Sequence, residues 1–235
     1  MATNALKSKT VSSLFWKLFE RGGRAVVELL VQIVMARLLA PEEFGALAIM
    51  LVLVNVGNVI VQSGLNTALV QAPHVDGKDC STVFWLSFAV SLALYAAVFA
   101  CAPLFAGFYA MPHIVWPLRA LALILVINAF NAVQVAVVQR ALEFRKVFNA
   151  TVASVAVSGA LGVASALAGA GLWALVVQQL AYQIANCAAL ALQVRWRPRA
   201  IFDAGRAWRL FSFGWKLLAS GLLDQGYQSL SDLII

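Results

Sequence analysis

The stretch VFNATVASVAVSGALGVASALAGAGLWALVVQQLAYQIANCAALALQV, residues 147–194, contains no Asp, Glu, Lys or Arg. As a single helix at about 1.5 Å per residue it would be about 72 Å long, whereas a hydrocarbon core roughly 30 Å thick is crossed by about 20 residues. The run must therefore fold back. Gly169-Ala170-Gly171 is the strong turn signal near its centre and divides it into two spans, about 148–168 and 172–194. A charge-free helical hairpin of this length belongs in a bilayer, and the rest of the chain is read on that footing.

Toward the N-terminus, Phe44–Val70 is charge-free and long enough for one span. Cys80–Leu118 is also uncharged but interrupted at Gly107, Pro112 and Pro117, which gives one span at about 82–106 and another from Leu118 to Gln139. Toward the C-terminus an apolar stretch from Leu210 runs to Ile235, and the sequence stops inside it. That stop leads us to expect that the reading frame continues through a further lobe. The segment Val11–Leu39 is long enough to cross but carries Lys17, Glu20, Arg21, Arg24, Glu28 and Arg37. A signal peptide would have an uncharged apolar core and a small-residue cleavage site, so this is either a span or an interfacial amphipathic helix. Parity decides between them. If it spans, residues 1–24, 71–80, 140–147 and 195–216 share one side and hold fifteen of the 17 cations, leaving Arg37 and Arg119 opposite. Such a bias places the N-terminus in the cytoplasm. Seven spans result.

Composition agrees. The apolar and aromatic set makes up 63% of the chain and charged residues 11%, where soluble domains carry about 25%. This excludes a soluble enzyme, a nucleic-acid binder and a disordered chain, and the net charge of +7 is accounted for by basic loops. Cys80, Cys101 and Cys187 are separated, and His74 and His113 lack a second ligand in register, so no disulfide framework, metal site or cofactor is expected. No phosphate loop, HExxH or Gly-x-Ser-x-Gly motif is present, and the chain is not read as an enzyme.

Polar residues recur as stripes inside the spans. Lys17, Glu20, Arg21, Arg24 and Glu28 fall on one face of the first helix, with Arg24 four residues from each of Glu20 and Glu28. Asn55, Asn58, Gln62 and Asn66 share a sector of the second; Asn128, Asn131 and Gln134 mark the fourth, and Gln179, Gln183 and Asn186 the sixth. Asp224, Gln225, Gln228 and Asp232 share a sector of the seventh. Each amide is either a hydrated-cavity group or a hydrogen bond between helices. Thr151, Ser154, Ser158, Gly162 and Ser165 form a small-residue ridge suited to close helix packing. Pro41-Glu42-Glu43 has the form of a helix start, proline in the first turn and acids at the positive dipole end.

Trp16-Lys17-Leu18 opens the first span and Trp215-Lys216-Leu217 the seventh, six spans later on the same side, which permits two parallel repeats. The stretches VQIVMARLLAPEEFGALAIM (31–50), SGLNTALVQ (63–71), DCSTVFWLSFAVSLALY (79–95) and WRPRAIFDAGRAWRLFSFGWKLLASGLL (196–223) resemble lipopolysaccharide and polysaccharide biosynthesis flippases of the WzxC type, in the multidrug/oligosaccharidyl-lipid/polysaccharide exporter superfamily. The resemblance implies an all-α integral membrane fold, the six-helix N-terminal lobe of a two-lobe transporter plus the start of the second lobe. It divides the chain into a cytoplasmic tail (1–10), a six-helix lobe (11–194), a basic cytoplasmic linker (195–209) and the first helix of the second lobe (210–235). It implies flipping of undecaprenyl-diphosphate-linked oligosaccharide units across the bacterial inner membrane. Partners would be that lipid-linked glycan, membrane lipids, and a polysaccharide polymerase and chain-length regulator. Within that reading Lys17, Arg21 and Arg24 bind the diphosphate. Asn55, Asn58, Gln62, Asn128 and Asn131 meet glycan hydroxyls, and Glu20, Glu28 or Asp224 couple the motion to an ion. A drug or metabolite antiporter of the same superfamily, or a non-transporting membrane assembly protein, is the alternative.

Overall fold

Two left-handed glycines make the central fold-back: Gly169 has φ +76° and Gly171 φ +54°, conformations that glycine alone adopts without strain. In the computed structural model, residues 27–62, 76–141 and 143–194 are described, with Ala25, Leu69, Val70, residues 197–199 and single positions at 203, 205, 207, 215, 219, 220 and 223. We number the helices α1 (residues 27–38), α2 (Pro41–Gln62), α3 (Gly77–Phe108), α4 (Val115–Leu121, entered through a 3-10 turn at Pro112–Ile114), α5 (Leu123–Ala141), α6 (Phe144–Leu167) and α7 (Leu172–Gln193). Five stretches among the described residues are long and apolar enough to cross a membrane: Pro41–Gln62, Gly77–Phe108, Pro112–Ala141, Arg145–Leu167 and Leu172–Gln193. The chain is an all-α integral membrane protein. The seventh span and the charged half of the first lie outside the described residues, apart from isolated positions.

Two compact units are present. One contains α1, α6 and α7; the other contains most of α2 and α5, all of α3 and α4, and the chain from Arg197 on. In the first unit, α6 packs closely at two glycines, Gly162 of the small-residue ridge and Gly159 outside it. A Cβ added to Gly159 would lie 2.7 Å from Val31 Cγ2, and one added to Gly162 would lie 2.9 Å from Gln178 Cβ, so the two glycines set how closely α1 and α7 approach. The ridge hydroxyls are satisfied inside the helix: Ser154 donates to the Ala150 carbonyl at 2.6 Å and Ser165 to that of Leu161 at 2.6 Å. Pro41 opens α2 as its sequence indicates, with Glu42 and Glu43 in the first turn. Glu43 Oε1 reaches across to the N-cap of α7, 2.6 Å from where a Gly171 Cβ would stand, where the dipole favours an anion.

In the second unit the sequence expectation needs correcting around Gly107. Helix α3 runs through that glycine to Phe108, and the left-handed residue that ends it is Ala110, with φ 54°. The next span starts at Pro112 rather than Leu118, because Pro112 and Pro117 both fall in first turns, where no backbone N–H is needed. Pro103, inside α3, has no N–H to give the Phe99 carbonyl four residues back. Arg119 Nε donates to that carbonyl at 3.2 Å, while its guanidinium lies 4.1 Å from the centroid of the Phe99 ring and 5.0 Å from that of Trp116. The guanidinium thereby satisfies the acceptor that the proline strands. Phe84, Phe88 and Phe130 close the α3–α5 contact edge to face, with centroids 5.1 and 5.3 Å apart across it.

Candidate functional site

A cavity of about 470 Å³ opens between α1, α6 and α7. Its α1 wall is the continuation of the charged stripe: Ala25, Glu28, Leu29 and Gln32 share one face at helical spacing. The α6 wall is Val155 and Ser158, both small enough to leave room, and the α7 wall is Gln178, Gln179, Tyr182 and Gln183. Glu28 is the one carboxylate among the described lining residues. The opposite face of α1 is apolar: Val27, Leu30, Val31 and Val34 line a groove of about 480 Å³ against Ala156, Gly159, Ala160 and Val163 of α6. Helix α1 therefore has a hydrophilic and a lipophilic side, and Val31 and Val155 border both spaces.

The sequence stripes meet unevenly. Glu28 comes together with Gln179 and Gln183 of the sixth-span stripe. The third member, Asn186, donates from Nδ2 to the Tyr182 hydroxyl at 3.4 Å, and its Oδ1 is buried without a partner. Gln32, Gln178 and Tyr182 belong to the site and escaped the sequence reading, although two signals point to them. Gln32 is the next i+4 step after Glu28, and Gln178 and Tyr182 form an i, i+4 ladder beside Gln179 and Gln183.

Asn55, Asn58, Gln62, Asn128 and Asn131 lie in the second unit. Asn128 Nδ2 donates to Asn58 Oδ1 at 2.8 Å, which joins α5 to α2. Gly57 makes the approach possible, since a Cβ there would stand 2.9 Å from Leu125 Cδ2. Asn131 and Gln134 are buried about one and two turns further on, and Asn131 Oδ1 and Gln134 Oε1 have no hydrogen-bond partner. Asn55 is exposed and Gln62 half-buried. Lys17, Glu20, Arg21, Arg24 and Asp224 lie outside the described residues. Among the described residues no group of three or more His, Cys, Asp or Glu is placed to hold a metal. Among the described lining residues the cavity offers amide and hydroxyl groups that both donate and accept, beside the Glu28 carboxylate.

The chain is similar to the succinoglycan biosynthesis transport protein ExoT of Rhizobium meliloti (strain 1021), 27% identical over 223 residues that cover 94% of this chain and 45% of that protein. It is similar to the lipopolysaccharide biosynthesis protein WzxC of Escherichia coli (strain K12), 22% identical over 237 residues covering 98% of this chain and 47% of that protein. It also resembles the teichuronic acid biosynthesis protein TuaB of Bacillus subtilis (strain 168), 25% identical over 169 residues, 71% of this chain and 35% of that protein. The chain thus spans less than half the length of these relatives. No solved structure matches it. Residues 34–235 match the family described as polysaccharide biosynthesis protein, and the chain, a multi-pass helical membrane protein with transport relatives, belongs to that family.

Proposed function

We propose that the chain forms the N-terminal lobe of a flippase that carries undecaprenyl-diphosphate-linked oligosaccharide units from the cytoplasmic to the outer face of the bacterial inner membrane. The observation that carries this reading is the cavity between α1, α6 and α7, where Glu28 and Gln32 stand with Gln178, Gln179, Tyr182 and Gln183 in a bilayer-spanning unit. Polar groups inside a bilayer are costly and mark a cargo or ion path. Amides and hydroxyls in this number suit glycan hydroxyls, which also donate and accept. Lys17, Arg21 and Arg24 precede Glu28 on the same stripe and supply the charge a diphosphate needs. Glu28 is the residue we assign to ion coupling. Transport proceeds by rocking this lobe against a second, parallel lobe.

The test is complementation in a flippase-deficient cell carrying the complete gene, with lipid-linked glycan accessibility at the outer face as readout. Glu28→Gln should abolish net flipping under a proton or sodium gradient yet keep membrane abundance. Flipping by Glu28→Gln at the wild-type rate, with the same gradient dependence, would falsify the coupling role. Wild-type protein that leaves the glycan facing the cytoplasm would remove the flippase reading itself.

A further inference from the structure

We propose that the segment around Arg197-Pro198-Arg199 is a binding site for the headgroup of an anionic phospholipid, held at headgroup depth by the first turns of α3. Three observations lead there. The first is the length of α3. At 32 residues it is about 48 Å long, well beyond a roughly 30 Å core. Its overhang is the polar N-terminal end, where Asp76 and Asp79 form a capping box and Lys78 follows Gly77. Ser81, Thr82 and Trp85 lie in the turns just inside that end, at the level where indoles anchor membrane proteins.

The second observation is how the segment is tied down. Both backbone polar groups of Arg199 are taken by α3 side chains: its N–H donates to Ser81 Oγ at 3.2 Å, and its carbonyl accepts from Trp85 Nε1 at 2.9 Å. Four residues on, the Asp203 N–H donates to Thr82 Oγ1 at 3.3 Å. Each hydroxyl also donates within its own helix, Ser81 to the Gly77 carbonyl at 3.0 Å and Thr82 to that of Lys78 at 2.8 Å, which fixes its lone pairs toward the incoming amides. Asp203 Oδ1 then accepts from the Gly205 N–H at 2.9 Å, and the Ala207 N–H donates to the Asp203 carbonyl at 3.0 Å, with Gly205 and Ala207 both helical.

The third observation is charge. With its backbone fixed by these bonds and by Pro198, the segment leaves the side chains of Arg197 and Arg199 exposed. They sit in RWRPRAIFDAGRAWR (195–209), which has five arginines against Asp203. Two guanidiniums carried on a backbone anchored at Arg199 are complementary to phosphate, and each such cation near an anionic leaflet adds measurably to binding. A free phosphate or diphosphate has the same chemistry. The lipid is favoured because the site lies beside an exposed indole, Trp85, that packs edge-on against Phe84 and Phe88 and so offers an apolar surface next to the cations.

The experiment is native mass spectrometry of the detergent-solubilised complete protein titrated with phosphatidylglycerol or phosphatidylethanolamine. We expect Arg197→Gln/Arg199→Gln to weaken phosphatidylglycerol binding roughly thirtyfold and leave phosphatidylethanolamine unchanged. The control pair Arg140→Gln/Arg145→Gln, at the α5–α6 corner, should weaken it by less than threefold. Ser81→Ala/Trp85→Phe keeps both charges and releases the backbone, and should cost severalfold. Equal losses in the two arginine pairs would reduce the site to general basicity. Wild-type affinity in Ser81→Ala/Trp85→Phe would remove the clamp, and competition by inorganic diphosphate at the lipid's own concentration would reassign the site to a free phosphate.

Discussion

In the unit of α1, α6 and α7, Gln178, Gln179 and Gln183 face a cavity with Glu28; in the unit built around α2 to α5, Asn58 and Asn128 are bonded to each other at 2.8 Å. The residue types are alike and both sets sit in apolar helices. What differs is the neighbouring surface. Gly57 brings Leu125, and with it Asn128, against α2, so an amide finds an amide. On α6, Ser158 and Val155 line the cavity and are too short to fill it, and no hydrogen bond joins Gln178, Gln179 or Gln183 to them. An intramembrane amide thus either meets another amide or faces open space according to the size of the side chain across from it.

The comparison breaks or holds first on transport. Gln178→Leu/Gln183→Leu should reduce flipping tenfold to a hundredfold, on the basis of about 1 kcal/mol for each of two or so lost hydrogen bonds, with little change in thermal stability. Asn58→Leu/Asn128→Leu removes both partners of a buried bond together, which is close to neutral for stability, and should leave flipping within threefold. A transport defect in the asparagine pair equal to that in the glutamine pair would erase the distinction between the units.

The five spans from Pro41 to Gln193 and their order were legible because charge-free runs and glycine or proline punctuation depend on local chemistry. The hairpin at Gly169–Gly171 and the start of α2 at Pro41 follow from two or three residues each. The α3 terminus was not legible at this level, since Ala110 takes a conformation its own type disfavours and the capping bond from the Met111 N–H to the Ala106 carbonyl at 2.9 Å overrides that preference. For the site, Glu28, Gln179 and Gln183 stood out as stripes, but which stripe faces which is a tertiary fact set by Gly159 and Gly162. Arg119 was legible as a cation on the sparsely charged side. Its partner was hidden because the acceptor is a backbone carbonyl stranded by a proline sixteen residues earlier in the chain.

That last pairing gives the next prediction, which concerns stability in the second unit. Arg119→Leu leaves the Phe99 carbonyl without a donor and removes two cation–π contacts, and should cost about 2 kcal/mol of unfolding free energy in detergent. Pro103→Ala restores a backbone N–H for the same carbonyl. In that background Arg119→Leu should cost about 1 kcal/mol less, a coupling that a double-mutant cycle reads directly. Strict additivity would mean that Arg119 is held by the aromatic rings alone and that the stranded carbonyl is irrelevant.

The smallest expected effect compares the two units at their corners. Gly171 and Ala110 both have φ 54°, but one is a glycine and the other is not. Gly171→Ala places a methyl group in a conformation with ψ −132° that side chains avoid, 2.6 Å from Glu43 Oε1, and should destabilise the protein by about 2 kcal/mol. Ala110→Gly runs the other way. Relief of the left-handed strain returns about 1–2 kcal/mol, and the added freedom of glycine in the unfolded chain takes back about 0.5–1 kcal/mol, so the net gain is about 0.5 kcal/mol. A chain of this size would show that as a rise of roughly 1–2 °C in Tm. A fall in Tm for Ala110→Gly would mean that the alanine methyl makes a packing contribution larger than its strain, and the two corners would then differ in packing as well as in sequence.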